Sequence, residues 1–597
     1  MTREPRRARF FFSAFAIALG LSVIFGFLTP LREPPSGDFH GEWAALVFFV
    51  CAAAALAPVL PSRFRVDPPF LLLAFLLAVV IGIHLGLGSN AYLQSPLFWL
   101  AYLAMALLAA VVGQGARSAG LAEEVVQRVA WALVIAGALN SCSQVIQVLR
   151  LDGAFAPFVL RLAEHACRPY GNVGQLNQAS TLAWLGIGSL LYLTGVGRLA
   201  SRWALPLLAV LLLGSALTAS RMAWLLLGFT AALVLFAPAW PARSVGSRRL
   251  IAAMLIGGFV VASYGAGIAL AGINPDCASG LERLTDRQEG GFLVRIELWR
   301  QAILVWLTSP WIGVGPFNFL PTVYSIESLA VHRPLDTYAH NAMLQMLAEF
   351  GIVGAGALGA ALLVWLHKLI ANRKDLRAAD AVLVFWLGII GIHAMLEFPL
   401  WYAQFLMLFC LSLGLLVRPE WSRYSPQLPL RGSMAGLAAL LLASAAAVFV
   451  DYRKLDRLFW LEEHRAAFSA APTAEVRALV GGAASEVRLF RVQADHLLGL
   501  SESINTKDLE RKIADTDRLL ATSPQPVVVI RRIALAILAD ERETARLHLR
   551  RLLVFFPRHA DLFAQTLRNF AVNRPDEFAA LGPLLEEEVA RRPEARW

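Results

Sequence analysis

The chain has 597 residues, of which 57% are hydrophobic and only 16% charged, with a net charge of +10. A soluble protein carries about 25% charged residues, so a wholly water-exposed globule is excluded. The basic excess lies mostly in short connections between apolar runs, which excludes nucleic acid as its partner, and five cysteines are too few for a disulfide-built scaffold.

From the N-terminus, Arg3, Arg6, Arg7 and Arg9 precede an apolar run from Phe10. This imitates a signal peptide, but no small-residue cleavage site follows and the next segment is another span, so it reads as an uncleaved first helix. About thirteen runs approach the ~20 residues needed to cross a bilayer. They fall near 10–28, 43–60, 70–88, 96–113, 129–149, 179–196, 203–218, 222–238, 250–272, 340–366, 381–396, 400–417 and 434–450. The runs 203–218 and 222–238 have almost nothing between them and form a tight hairpin. The two runs after 381 are also joined by only a few residues.

Arginine and lysine orient these spans. With the N-terminus inside, the inner connections hold Arg63 and Arg65; Arg117 and Arg128; Arg198 and Arg202; Arg243, Arg248 and Arg249; Lys368, Arg373, Lys374 and Arg377; and Arg418, Arg423 and Arg431. The outer connection near 89–95 has no charge, and the one near 29–42 sets Glu33, Asp38 and Glu42 against Arg32 alone. The expectation is a multi-pass protein of the bacterial inner membrane with its C-terminal segment in the periplasm. Cys51, Cys142 and Cys410 fall in or near spans as packing residues. Cys167 and Cys277 fall in outer loops, where an oxidising compartment permits a disulfide without requiring one.

The orientation makes outer arginines informative. Arg168, Arg221 and Arg295 lie on the side where the sorting rule does not call for them, close to membrane level, where charge is costly. Snorkelling to lipid phosphates accounts for any one of them; three in separate outer loops, each beside polar residues, favour a shared anion site. The longest outer loop, 273–339, also holds Arg283, Arg287, Arg300 and Arg333. Within it, Phe292 to Trp306 has apolar positions at helical spacing with charges interleaved, which predicts an amphipathic helix on the membrane surface or over a cavity. Pro310, Gly313, Gly315 and Pro316 then predict a turn.

After about Asp451 charge becomes frequent, glycine scarce, and apolar residues recur at three and four spacing, as in Val476-Arg-Ala-Leu-Val480 and Ile533-Ala-Leu-Ala-Ile-Leu538. Breaks at Ala471-Pro-Thr473, Ser523-Pro-Gln-Pro526 and Phe556-Pro-Arg-His559 predict short helices stacked as hairpins, in the style of a tetratricopeptide array though without its 34-residue period. The expected domains are therefore a membrane domain over 1–450 and a soluble helical domain over 451–597. The expected fold is an all-α polytopic bundle of about 12–13 spans with a large periplasmic loop.

Polar residues gather at the outer face. Cys167-Arg-Pro-Tyr-Gly-Asn-Val-Gly-Gln-Leu-Asn-Gln-Ala-Ser180 supplies the amides Asn172, Gln175, Asn177 and Gln178 beside a span, where each needs a partner. Sugar hydroxyls and the loop's own backbone are the two candidates. Arg221, in the turn of the 203–238 hairpin, has the fork geometry to grip a diphosphate, and Arg295 could act on the same anion. His340 opens the tenth span; it is either a satisfied structural histidine or a base able to take a proton near neutral pH. Glu349, further along that helix, reads as a buried structural partner. Glu397, Trp401 and Tyr402 sit in an outer turn at Pro399, where the aromatics either stack on sugar or belong to an interfacial belt. Metal-site and Walker motifs are missing from the sequence, so no cofactor is expected and the energy has to come from an activated substrate.

Arg168-Pro-Tyr-Gly-Asn…Gln-Leu-Asn, Ser220-Arg-Met-Ala-Trp, Arg295…Trp299 with Pro310-Trp-Ile-Gly-Val-Gly-Pro-Phe-Asn, His340-Asn…Leu347-Ala-Glu-Phe-Gly and His393…Glu397-Phe-Pro-Leu-Trp resemble, in order and spacing, the O-antigen ligase and polymerase superfamily. Within it the chain is most similar to bacterial protein O-oligosaccharyltransferases. The resemblance covers about 165–417 and extends to the C-terminal helical appendage; the first five spans match only in hydrophobicity. It implies an undecaprenyl-diphosphate-linked glycan as donor and metal-independent transfer with inversion. It implies Arg221 and Arg295 on the diphosphate and His340 as the base. Arg168, Tyr170 and Gln178 would position donor or acceptor. A Ser or Thr hydroxyl of a periplasmic protein such as a pilin is the expected acceptor, because helical-hairpin arrays commonly bind polypeptide. A lipid A core and a growing glycan remain the rival acceptors. A transporter fits less well, since no repeated halves or mid-span acidic relay occur.

Overall fold

A computed structural model describes residues 3–32, 35–163, 166–241, 244–273, 277, 282–285, 291–326, 335–422, 427–468 and 481–591. Glu33, Arg243, Arg287, Arg333 and Arg423, the break at 471–473 and the stretch 476–480 lie outside these. Every predicted span coincides with a helix. Eight are long and apolar enough to cross a membrane: Arg7–Leu28, Phe39–Val59, Pro68–Leu87, Gln94–Ser118, Ala122–Val148, Val245–Gly272, Ala342–Ala371 and Arg431–Trp460. Ser201–Leu217, Met222–Phe236, Ala378–Ala394 and Ala403–Leu416 are shorter apolar helices, and Leu176–Gly195 is a further helix of 20 residues. The chain is thus an all-α, multi-spanning protein. One departure is a two-residue antiparallel pair, Phe64–Arg65 with Gln427–Leu428. Helix ends also run past the apolar windows: the fifth helix starts at Ala122, taking in Glu123, Glu124 and Arg128. A helix continues wherever its backbone bonds continue, whereas the sequence window stops at the first charges.

The chain divides into two compact units. The first comprises Met1–Ala74, Ala101–Glu289 and Gly359–Ala445. Its core is lined by Phe15, Phe49, Leu133, Trp184, Tyr192, Phe385 and Trp386, all almost fully buried. Between membrane helices there is little hydrophobic driving force, so close backbone approach matters. A Cβ on Gly113 would lie 2.6 Å from the Leu411 carbonyl oxygen, and one on Gly414 2.2 Å from that of Ala110. Buried carboxylates hold basic residues of the connections between spans. Asp380, 0% exposed, pairs with Arg117 and Arg418. Asp67, also 0% exposed, accepts from Lys368 and from the Trp365 indole.

The second unit comprises Phe75–Leu100, Gly290–Leu358 and Ala446–Trp597. The predicted amphipathic helix is Gly291–Thr308. Leu293, Ile296, Arg300, Ile303 and Leu307 face outward, and Glu297, Leu298, Gln301, Ala302 and Val305 inward. Two of its polar residues therefore lie on the buried face. The turn after it does more than reverse the chain. Helix Ala342–Ala371 breaks at Gly351, with φ 62° and ψ −165°, and the 310–315 segment supplies the broken bonds. Val314 and Gly315 N–H donate to the Ala348 and Glu349 carbonyls at 3.0 and 2.9 Å. Ile352 and Val353 N–H donate to Pro310 and Trp311 at 2.9 and 3.1 Å. A non-helical backbone at membrane depth is tolerated only when protein satisfies it in this way. His84 Nε2, at 3.0 Å from the Ile312 oxygen, and Asn90 Nδ2, at 2.8 Å from that of Pro316, hold the segment from a second side. Gly351→Ala is expected to destabilise the protein by on the order of 3 kcal/mol or more. Only glycine adopts that backbone readily, and the new Cβ would lie 2.3 Å from the Trp311 oxygen. Thermal unfolding in detergent measures it; an unchanged midpoint would disprove the constraint.

The composition change near Asp451 falls inside the helix Leu430–Phe468. The following helices are Arg491–Ser501, Leu509–Leu520, Pro526–Leu538, Arg542–Phe555, Ala560–Asn573 and Leu581–Ala590. Ile533, Leu549, Leu552, Phe555, Leu567 and Leu585 form one core with Phe319 and Val323. At its edge the Tyr324 hydroxyl lies 2.7 Å from His548 Nδ1, with the Arg551 guanidinium 5.1 Å from the Tyr324 ring centre. Burial, then the Arg532 and Arg551 charges, lower His548 from its ordinary 6.5 to about 4. Between those values the unfolded chain binds the proton and the folded chain does not. The stability is therefore complete above pH 6.5 and is lost as pH falls toward 4. His548→Gln is expected to flatten the melting-temperature slope between pH 7 and 5; an unaltered slope would rule this coupling out.

Candidate functional site

In the first unit, three motifs far apart in sequence meet through side-chain hydrogen bonds. Ser201–Leu217 and Met222–Phe236 are separated by Thr218, Ala219, Ser220 and Arg221. Ala219 has φ +46°, and this left-handed step reverses the chain and directs Ser220 inward, 5% exposed. The Ser220 hydroxyl donates to Asn177 Oδ1 at 2.7 Å, and Asn177 Nδ2 donates to Glu397 Oε1 at 3.0 Å. Glu397, 8% exposed, stands in the turn after Ala378–Ala394, where its N–H donates to the His393 oxygen at 2.8 Å. His393 Nδ1 lies 2.9 Å from the Thr181 hydroxyl. Gln178, 4% exposed, lies on the same helix as Asn177 and Thr181.

Arg221 follows directly on this junction. Its Nε donates to the main-chain oxygen of Arg283 at 2.8 Å, which fixes the plane of the guanidinium. Cys167 and Cys277 form a disulfide. Cys277 packs with Ala219 and Leu270, and Cys167 against that cluster.

The remaining predicted residues of the 167–180 loop divide by role. Asn172 holds the loop itself, donating to the Leu28 and Phe158 oxygens at 3.3 and 2.7 Å and accepting from Leu160 N–H at 3.0 Å. Gln175 caps helix Leu176–Gly195, its Oε1 accepting from Gln178 N–H at 2.6 Å. The Tyr170 hydroxyl donates to the Arg161 oxygen at 3.1 Å. Arg168 is half-buried, next to the disulfide. Of the two partners foreseen for these amides, Asn172 and Gln175 take the chain's own backbone.

Sequence reasoning missed what supports the loop. Asn140, Gln144 and Gln147 recur at i, i+4 and i+7 on Ala122–Val148, which aligns them on one face. Val173 N–H donates to Asn140 Oδ1 at 3.1 Å, Gln144 Nε2 to the Pro169 oxygen at 3.0 Å, and Gly171 N–H to Gln147 Oε1 at 2.8 Å. Three amides on one face of an otherwise apolar span were the available signal. Arg32 was missed too: its Nε donates to the Asn172 oxygen at 2.9 Å and its guanidinium pairs with Asp38.

Arg295 and His340 belong to the second unit. Arg295 is half-buried on Gly291–Thr308. His340 has φ +50°, immediately before the helix that Asn341 caps by accepting from Met343 and Leu344 N–H, both at 3.1 Å. Its Nε2 lies 3.2 Å from Asp336 Oδ2. A carboxylate there accepts from a ring N–H, so it favours a proton on Nε2. Glu349, 1% exposed, accepts from Gln345 Nε2 at 2.9 Å, as expected of a structural partner. Among the described residues, no group of three or more His, Cys, Asp or Glu is placed to hold a metal ion.

Residues 206–359 match the family described as O-Antigen ligase, and residues 381–569 the family described as Virulence factor membrane-bound polymerase, C-terminal. Two relatives come from Acinetobacter baylyi (strain ATCC 33305 / BD413 / ADP1). One, a General O-oligosaccharyltransferase, is 27% identical over 402 residues, covering 66% of this chain and 68% of the relative. The other, a ComP-specific O-oligosaccharyltransferase, is 24% identical over 329 residues, covering 55% of this chain and 58% of the relative.

Proposed function

We propose, from the premise that this chain belongs to the O-antigen ligase and oligosaccharyltransferase superfamily, that it is a glycosyltransferase that moves an oligosaccharide from a lipid-linked donor to a protein. The donor is an undecaprenyl-diphosphate-linked glycan. The acceptor is a Ser or Thr hydroxyl of a periplasmic protein, a pilin being one fitting example. The acceptor oxygen attacks the anomeric carbon with inversion, the bond to the diphosphate breaks, and the lipid diphosphate leaves with the electron pair. His340 takes the hydroxyl proton. Arg221 and Arg295 neutralise charge as it builds on the diphosphate, with no metal or cofactor in the step. Arg168, Tyr170, Gln178, Glu397 and Tyr402 position the substrates.

The observation that carries this reading is the Ser220–Asn177–Glu397 junction. It ties the amide-rich loop, the arginine turn and the 393–402 turn together through one buried polar cluster. The Cys167–Cys277 disulfide supports an oxidising compartment, hence the periplasmic side, for these loops. It is a support independent of the arginine and lysine distribution. The matches to relatives named as O-oligosaccharyltransferases support a protein acceptor.

The polymerase named by the match over 381–569 is the alternative that the test has to separate. The full chain is reconstituted in liposomes with a polyprenyl-diphosphate glycan, a candidate pilin-like acceptor and lipid A core, and the products are weighed. The expected result is the glycan mass on a Ser or Thr of the protein. Lengthened lipid-linked glycan, or glycan on lipid A core with the protein unmodified, would overturn the protein-acceptor reading.

A further inference from the structure

We infer that the Cys167–Cys277 disulfide is a positioning element for Arg221, so that the chain acquires full donor-handling capacity only once its cysteines have been oxidised. This deepens the proposed function and rests on the reading of Arg221 as a diphosphate ligand. Three placements carry it. The bond joins the residue directly before Arg168 to Cys277. It is built against Ala219, two residues before Arg221, with Cys277 only 5% exposed. The main-chain oxygen of Arg283, six residues beyond Cys277, accepts from Arg221 Nε at 2.8 Å. The guanidinium thus donates to a carbonyl six residues along the sequence from a cysteine that is covalently bonded to the amide-rich loop. A guanidinium grips a diphosphate through a planar fork, so losing its orientation costs binding even while its charge remains.

Forming the bond removes two protons and two electrons from the two thiols. A protein disulfide of the thiol–disulfide oxidoreductase class accepts them and becomes a dithiol. Reduction reverses this. Cys51, Cys142 and Cys410 are free thiols, so alkylation of the unfolded protein should count three thiols before reduction and five after.

The test uses the full chain in liposomes, oxidised, reduced with a phosphine, and reduced then bridged with dibromobimane, beside the Cys167→Ser/Cys277→Ser variant. Two quantities are read: tryptic cleavage after Arg283, and kcat/KM for the polyprenyl-diphosphate glycan. Reduction and the double variant are each expected to expose Arg283 to trypsin. They should also lower kcat/KM by about 10- to 100-fold, the scale of a misplaced binding group, mainly through a higher KM for the donor. Bridging should restore both. Where the oxidised chain transfers glycan, an unchanged kcat/KM after reduction overturns the inference, whatever trypsin shows. Where the oxidised chain transfers nothing, it is the transfer reading that fails. Trypsin then decides the brace: protection lost on reduction upholds it and protection kept overturns it. Reducing the assembled wild-type chain answers the case in which the double variant fails to fold.

Discussion

Arg221→Ala is expected to lower kcat/KM for the glycan donor by about 100- to 1,000-fold, the cost of removing one preorganised donor from a site where charge develops. In the proposed reaction, diphosphate departure concentrates negative charge on the leaving oxygen. In the proposed mechanism the Arg221 guanidinium, held by the Arg283 carbonyl at 2.8 Å, would meet that charge without reorganising. Arg221→Lys keeps the cation but loses both the fork and the Nε donor to Arg283, so it should recover only part of the loss. Arg221 lies in a turn rather than inside a packed span, so both variants should insert and accumulate normally. Initial rates in liposomes at varied donor concentration measure the effect. A well-inserted Arg221→Ala within threefold of wild type would remove Arg221 from the proposed chemistry.

Membrane physics explains which parts of this architecture are legible in the residues. A span must satisfy its own backbone and present apolar side chains to lipid, so its signal is local, and the runs from 10–28 to 434–450 each correspond to a helix. The same physics makes the irregular segments illegible. Gly351 looks like one more glycine in the stretch Gly351 to Gly359; that the helix breaks there depends on bonds from Pro310–Gly315, some forty residues away in sequence. Glu297 and Gln301 carry a polar label, yet both face inward, at 5% and 0% exposure, because the buried side of that helix is set by what packs on it. Asn172 and Asn177 are five residues apart and chemically identical. One is used up by backbone groups, while the other bridges Ser220 and Glu397. Residue type identifies a polar loop at a membrane edge, but only the folded chain assigns each amide its partner.

If His340 is the base of the proposed reaction, its loss should be as severe as that of Arg221, and it is best tested with a substitution other than alanine. His340 has φ +50°, a left-handed backbone that costs most residues about 1–2 kcal/mol and that asparagine tolerates well. His340→Ala therefore mixes strain with loss of the ring, whereas His340→Asn removes the imidazole and keeps the backbone. In the proposed mechanism His340, its Nε2 lying 3.2 Å from Asp336 Oδ2, would take the acceptor's proton, and general-base catalysis contributes about 100- to 10,000-fold. Both variants should fall by that factor in single-turnover transfer, with His340→Asn retaining the wild-type melting temperature. Asp336→Asn leaves the ring in place but weakens its tautomer bias, so a smaller loss of about 10- to 100-fold is expected, on the scale of removing a partner that orients a functional histidine. A His340→Asn protein that transfers at more than a tenth of the wild-type rate would assign proton removal to another group. An Asp336→Asn protein more impaired than His340→Asn would mean that the carboxylate acts on the substrate rather than through the ring.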